Sequence, residues 1–283
     1  MMIYDRASGK TASEKIYESR TMDFLYNTIP GSICAAVLRL PIVSAIYGVF
    51  QKSPRSRSRI RNFINDYGID VSGTDTDSFD SFNDFIIRKT GFTFDQQKDS
   101  LIAPSDGCLL TRRIQGGTMY PIKGKRCGLA EFLRDSALAE VYEGGVCLIL
   151  RLRVYDYHRF CFIDDGAFRW HRVINGFLDS VNTAATGRFT LVSNRRQVSL
   201  LSTESFGDII YAEVGALLVG RIVNLVADGG FRRGDEKGYF EFGGSTIVII
   251  LKEGAAVIDS DILRYSAEGI ETRVHIGERI GKC

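Results

Sequence analysis

The sequence predicts an α+β protein, a helical N-terminal portion followed by a β-rich domain, and three observations predict it. Apolar residues recur at helical spacing up to residue 67, with Ile60, Phe63, Ile64 and Tyr67 on one face ahead of Gly68, a C-cap signal. Beyond residue 100 the pattern changes to short β-branched and aromatic runs set off by glycine. The composition, with 29 glycines and 18 phenylalanines against 5 prolines in 283 residues, suits tightly turned sheets.

The first element is the apolar stretch Ile33-Cys34-Ala35-Ala36-Val37-Leu38, continued through Ile42, Val43, Ile46, Tyr47, Val49 and Phe50. Arg39 and Pro41 interrupt it, so it falls short of the roughly 18–20 apolar residues of a membrane-spanning helix. A short helix is expected over 79–89, starting at Asp77 or Ser78, with Phe82, Phe85 and Ile86 on one face. An amphipathic helix is expected over 129–142. Strands are expected over 146–154, 168–178, 197–203, 209–226 (with glycines at 215 and 220), 239–242, 246–251 and 273–276. No internal repeat or low-complexity segment is present.

Charge divides the chain. The 36 basic and 34 acidic residues leave a net charge of +2, too little for a nucleic-acid binder on bulk charge. Residues 1–68 hold ten Lys/Arg and five Asp/Glu, leaving 26 and 29 for the rest. Lys52, Arg55, Arg57, Arg59 and Arg61 follow directly on the apolar stretch, the pattern of a helix lying on an anionic membrane surface. An ordinary buried helix followed by a solvated one has the same pattern. No aromatic platform is interleaved with these arginines, so no nucleic-acid partner is expected.

The six cysteines (Cys34, Cys108, Cys127, Cys147, Cys161 and Cys283) form no C-x-x-C and no zinc spacing. The N-terminus lacks the basic-then-apolar order of a signal peptide. Reduced thiols facing the cytosol are expected.

Phosphate-loop, dinucleotide, zinc-protease and nucleophile-elbow motifs are absent. Only three histidines occur: His158, His171 and His275. Three segments stand out. Ala103-Pro104-Ser105-Asp106-Gly107 sets an acid in a turn. Tyr155-Asp156-Tyr157-His158-Arg159-Phe160 follows an apolar strand. Phe240-Glu241-Phe242-Gly243-Gly244-Ser245-Thr246 breaks a strand with two glycines and a serine. Each alone reads as a turn or a bulge.

Together, in this order, they resemble the phosphatidylserine decarboxylases, which carry a pyruvoyl group. Three more segments extend the resemblance over about residues 78–283. These are Phe82-Asn83-Asp84-Phe85-Ile86-Ile87-Arg88-Lys89, the glycine-bearing stretch from Val214 to Ile222, and Gly234-Asp235-Glu236-Lys237-Gly238. Three positions depart from the family pattern. Cys161 stands where a second histidine is common, Ile86 replaces an aromatic, and Ser105 replaces a small residue.

The resemblance implies a carboxy-lyase that converts phosphatidylserine to phosphatidylethanolamine and carbon dioxide in phospholipid biosynthesis. Ser245 would be the pyruvoyl precursor, with self-cleavage at the Gly244–Ser245 bond giving chains 1–244 and 245–283. Asp106 and His158 would activate Ser245 as a triad, the carboxylate fixing the imidazole and the imidazole taking the hydroxyl proton. The pyruvoyl group would bind the substrate amine as a Schiff base, with His158 returning the proton and no metal or diffusible cofactor needed. The partners would be the lipid, an anionic membrane surface and the chain's own cleaved fragment, with a homo-oligomer left open. Residues 1–77 would form the membrane-associating portion and 78–283 the catalytic domain of a peripheral protein on the cytoplasmic face of the cell membrane. Two alternatives stay open: a pyruvoyl decarboxylase of another amino acid or serine lipid, and a non-cleaving lipid-binding relative. His171 and His275 read as surface or packing residues.

Overall fold

The computed structural model describes residues 2–14, 19–122, 125–180, 191–217, 221–242 and 245–283. The chain opens with strands β1 (Met2–Asp5) and β2 (Lys10–Ser13), then helices α1 (Ser19–Asn27), α2 (Ile29–Leu38), α3 (Pro41–Gln51), α4 (Arg59–Tyr67) and α5 (Phe82–Ile86). There follow β3 (Ser100–Ile102), β4 (Gly107–Arg113), β5 (Thr118–Ile122), β6 (Lys125–Gly128), α6 (Leu129–Leu133) and α7 (Ser136–Val141). The β-rich remainder runs through β7 (Val146–Leu152), β8 (Arg159–Cys161), β9 (Gly166–Ile174), β10 (Arg196–Thr203), β11 (Gly207–Gly215) and β12 (Ile222–Asn224). It ends with β13 (Gly230–Phe231), β14 (Glu236–Phe240), β15 (Ser245–Leu251), β16 (Val257–Ile258), α8 (Ser260–Ala267), β17 (Glu271–Val274) and β18 (Arg279–Lys282).

Among the described residues, ten strands form one sheet in the order β13-β9-β10-β11-β15-β7-β4-β17-β1-β2. Neighbours are antiparallel except β1 and β17, which are parallel. The central strands β15 and β7 are buried on both faces, which explains their near-continuous apolar runs. Their side chains alternate between two cores. Ile247, Ile249, Leu148 and Leu150 face a layer built from β8, β14, β3 and β18, with Phe160, Phe162, Phe240 and Ile280. Val248, Ile250, Cys147 and Ile149 face α6 and α7 through Leu129, Phe132 and Tyr142.

Several expectations hold and several change. Helix α4 ends at Gly68 in the left-handed conformation (φ 60°), as its C-cap signal predicts. The expected helix over 79–89 contracts to α5, where the Ser81 hydroxyl accepts from the Asp84 N–H. The expected helix over 129–142 is two helices, because Arg134 turns left-handed (φ 50°) and Asp135 caps α7. The expected strand over 209–226 is β11 and β12, with residues 218–220 outside the described set.

The N-terminal portion, expected to be helical, opens instead on the β1–β2 hairpin at the edge of the main sheet. Ile3 is buried there, and Arg151 of β7 bridges Glu271 of β17 (2.5 Å) and Glu14 (2.9 Å) beneath it. The six cysteines are free thiols.

Candidate active site

One edge of the main sheet gathers the expected site residues. Ser245 opens β15, facing Leu152 at the end of β7 and Gly215 at the end of β11. Gly107 opens β4 and faces Val274 at the end of β17. The Cys108–Arg151 pair puts Gly107 level with Leu152 as well. Ser245 and Gly107, the residue after Asp106, therefore start strands that flank the same end of β7, two strand spacings or about 10 Å apart. Gly107 has no room for a side chain, since a Cβ there would stand 2.8 Å from the Arg151 carbonyl oxygen.

His158 follows β7 after a tight turn. The turn is closed by Asp156, whose carboxylate accepts from the Arg153 N–H (2.7 Å) and pairs with its guanidinium (2.6 Å). His158 is fully buried, and its Nδ1 lies 2.8 Å from the Asp156 carbonyl oxygen. A carbonyl can only accept, so the proton sits on Nδ1 and Nε2 is the basic nitrogen of the neutral ring. Ser105 brackets the histidine, its hydroxyl lying 3.1 Å from the Tyr157 carbonyl and 2.9 Å from that of Arg159. The Cys161 N–H donates to the Pro104 carbonyl (2.9 Å), which sews the Ala103–Asp106 turn to the histidine segment.

Asp106 is engaged elsewhere. Its Oδ1 accepts from the Ile276 N–H at 2.8 Å and lies 3.7 Å from Nδ1 of His275. The expected triad puts a carboxylate on the second ring nitrogen of His158, and the structure has the Asp156 main-chain carbonyl there instead. His275, given no role from sequence beyond a surface or packing residue, is half-exposed, and the Asp106 carboxylate raises its pKa above the ordinary histidine value. This contact arises because β4 and β17 are neighbours and both reach this edge.

The hydroxyl of Ser245 is fully buried and has no hydrogen-bond partner among the described residues. Gly243 and Gly244, the expected cleavage glycine, lie outside the described residues. The three residues before them are fixed one after another. The Phe240 N–H donates to the His158 carbonyl (2.9 Å), the Glu241 N–H to the Arg221 carbonyl (2.9 Å), and the Phe242 N–H to Oδ1 of Asn83 (3.3 Å).

Cys161 is buried, and burial pushes its thiol pKa up to about 12, so it stays protonated near neutrality and cannot act as a base in place of a second histidine. Sequence reasoning missed Asp156, Ser105, His275 and Asn83 as contributors. Asp156 and Asn83 lay within motifs already singled out. Ser105 was noted only as a departure from the family pattern.

Comparison with known proteins identifies the family. The sequence model of the phosphatidylserine decarboxylase family matches residues 82–282. The chain is 42% identical to phosphatidylserine decarboxylase proenzyme 2 of Clostridium acetobutylicum, covering 99% of this chain and 98% of that one. It is 38% identical to the phosphatidylserine decarboxylase proenzyme of Ruminiclostridium cellulolyticum, over 100% of this chain and 98% of the relative. It is also 38% identical to the proenzyme of Clostridium tetani, over 99% and 97%. The chain belongs to the phosphatidylserine decarboxylase family.

Proposed function

We propose that this chain is a proenzyme that cuts itself between Gly244 and Ser245 and then decarboxylates phosphatidylserine to phosphatidylethanolamine. The observation that carries this reading is the Ser245 hydroxyl, buried at the strand end with no partner among the described residues. Four other buried hydroxyls, those of Ser44, Ser100, Thr111 and Thr272, are likewise unpartnered among the described residues, so what marks Ser245 is its place at the start of β15, directly after the two glycines of the motif.

The steps follow from the residues. His158 takes the hydroxyl proton at Nε2, and the Asp156 carbonyl at Nδ1 steadies the cation that forms. Oγ of Ser245 attacks the Gly244 carbonyl carbon, and the acyl group moves from nitrogen to oxygen as an ester. Loss of the Ser245 α-proton and of the Gly244 carboxylate leaves a dehydroalanine. Water then replaces its nitrogen, which departs as ammonia, and residue 245 becomes a pyruvoyl group. The buried residue-245 position fits that small uncharged group. Its carbonyl supplies the electron sink for decarboxylation. Asp106 contributes negative charge to the same edge and ties residues 275–276 of the short fragment to the long one. His158 returns a proton to the substrate carbon.

Docking on a lipid surface belongs to the same reading, with residues 1–77 as the membrane-associating portion, 78–283 as the catalytic domain, and a peripheral position on the cytoplasmic face. Among the described residues no single helix is long and apolar enough to cross a membrane, while α2 and α3 form an apolar pair bent by 78°. Ile29, Ile33, Ile42, Ile46 and Val49 are each at least 65% exposed, an apolar face with no cover among the described residues. The basic cluster is partly paired within the chain. Lys52 pairs with Glu241, Arg57 and Arg61 pair with Asp77, and Arg59 lies against Phe82.

Carbon dioxide release from phosphatidylserine vesicles tests the reading. The wild type should release it and Ser245→Ala should not. Comparable release from free serine would overturn the lipid assignment.

A further inference from the structure

The family motif that begins Phe82-Asn83 lies far in sequence from the cleavage site, and the proposed chemistry leaves it without a task. The structure puts it against the segment that carries the scissile bond. Asn83 is buried in α5, and its side-chain oxygen accepts from the main-chain N–H of Phe242, two residues before Gly244. The Phe82 ring packs on the Phe242 ring at 5.1 Å, and Tyr47 of α3 meets that ring at 6.0 Å. Arg59 lies over both rings, 5.0 Å from Phe82 and 6.0 Å from Phe242. Helix α5 is itself fixed, since the Phe82 N–H donates to the buried Ser56 hydroxyl at 2.9 Å. One residue upstream, Lys52 pairs with Glu241 at 2.7 Å.

We propose that Asn83 is a positioning residue for self-cleavage, holding the acyl side of the scissile bond through the Phe242 backbone. The proposal rests on the reading of Ser245 as the self-cleaving nucleophile.

The physical argument concerns freedom. Gly243 and Gly244 carry no side chains, so no side chain of theirs can help place the Gly244 carbonyl, and their backbone is the most permissive in the segment. Attack requires the reacting atoms about 3–3.5 Å apart and aligned, and a misplacement near 1 Å costs on the order of 100-fold. Ser245 is fixed from one side by β15. On the other side, the described residues that lead to the carbonyl are Phe240, Glu241 and Phe242. Phe240 and Glu241 are held by main-chain bonds, and Phe242, the last described residue before the glycines, is held by the Asn83 side chain. The same contacts tie the cleavage segment to α3 and α5. The fragment end formed at Gly244 would therefore remain attached to the N-terminal helices.

The test follows maturation of newly synthesised full-length protein into fragments 1–244 and 245–283. Asn83→Leu keeps similar volume and removes the acceptor, whereas Asn83→Asp keeps an acceptor at the same place. Cleavage should slow roughly tenfold to 100-fold in Asn83→Leu and return to within about threefold of wild type in Asn83→Asp. Wild-type cleavage in Asn83→Leu, or equal slowing in both variants, overturns the proposal. If Asn83→Leu loses its cooperative melt, Lys52→Met decides, since its half-exposed side chain anchors the neighbouring residue. Cleavage several-fold slower there supports the proposal, and an unchanged rate sinks it. Ser245→Ala run in parallel separates the two levels. A wild type that never cleaves defeats the reading of Ser245 itself. A cleaving wild type with uncut Ser245→Ala and normal Asn83→Leu defeats only the role of Asn83.

Discussion

Removing the Lys237 ammonium should destabilise the protein far more than any surface change. Lys237 and Glu213 are fully buried and paired at 2.5 Å, with Asn224 bonded to both. Burial pushes the Lys237 pKa down and Glu213 pulls it back up. Tyr211 presents its ring 4.9 Å from the ammonium. Lys237 sits at a bulge in β14 opposite β8, the strand that follows His158. Lys237→Met leaves the Glu213 carboxylate buried without its cation, which costs about 3–5 kcal/mol. At about 2.1 cal/mol/K per residue, a chain of 283 residues unfolds with an entropy near 0.6 kcal/mol/K, so melting should fall by about 5–8 °C. The assay is thermal unfolding in a Ser245→Ala background, which keeps the chain in one piece. Adding Glu213→Leu should recover at least half the loss, because an apolar pair removes the stranded charge. A Lys237→Met melt within 1 °C of its parent, or a double variant no better than the single one, would refute the reasoning.

Other outcomes follow from the same contacts. In the folded protein a maleimide should label Cys34 and Cys283, which are exposed, and reach the four buried cysteines only after denaturation. Anionic vesicles should then protect Cys34, which lies on α2 beside Ile33, and leave Cys283 reactive. Equal labelling with and without vesicles would remove α2 from the membrane contact. The raised pKa of His275 sets a pH dependence: its pairing with Asp106 stabilises the fold below about pH 6.5, and that contribution fades as pH rises through the raised value. His275→Gln should therefore lower the melting temperature at pH 5.5 more than at pH 8.5. The difference should stay under about 2 °C, since a half-exposed pair contributes about 0.2–1 kcal/mol. A larger loss at pH 8.5 would contradict the assignment.

The sequence revealed elements whose burial leaves a local pattern. Helix α4 shows its apolar face and its glycine cap, and β7 and β15 show the continuous apolar runs of strands covered on both sides. The β1–β2 hairpin was illegible because each strand has four residues and only Ile3 is buried. The break between α6 and α7 depends on one left-handed residue, Arg134, which no propensity marks.

Within the site, Ser245, His158 and Asp106 were visible as motif residues, but their partners were not. The Nδ1 partner of His158 is a main-chain carbonyl, which every residue carries, and Asp106 meets His275 only through the β4–β17 pairing. The partners of the basic cluster were equally hidden, because its ion pairs to Asp77 and Glu241 form only once the chain has folded.

Intact-mass measurement of the purified wild type beside Ser245→Ala tests self-cleavage most directly. Two chains should appear in the wild type, residues 1–244 and a 39-residue partner beginning at position 245 with a keto group and no free amine. Ser245→Ala should give one uncut chain. An uncut wild type that still releases carbon dioxide from phosphatidylserine, or a cleaved Ser245→Ala, would contradict the account.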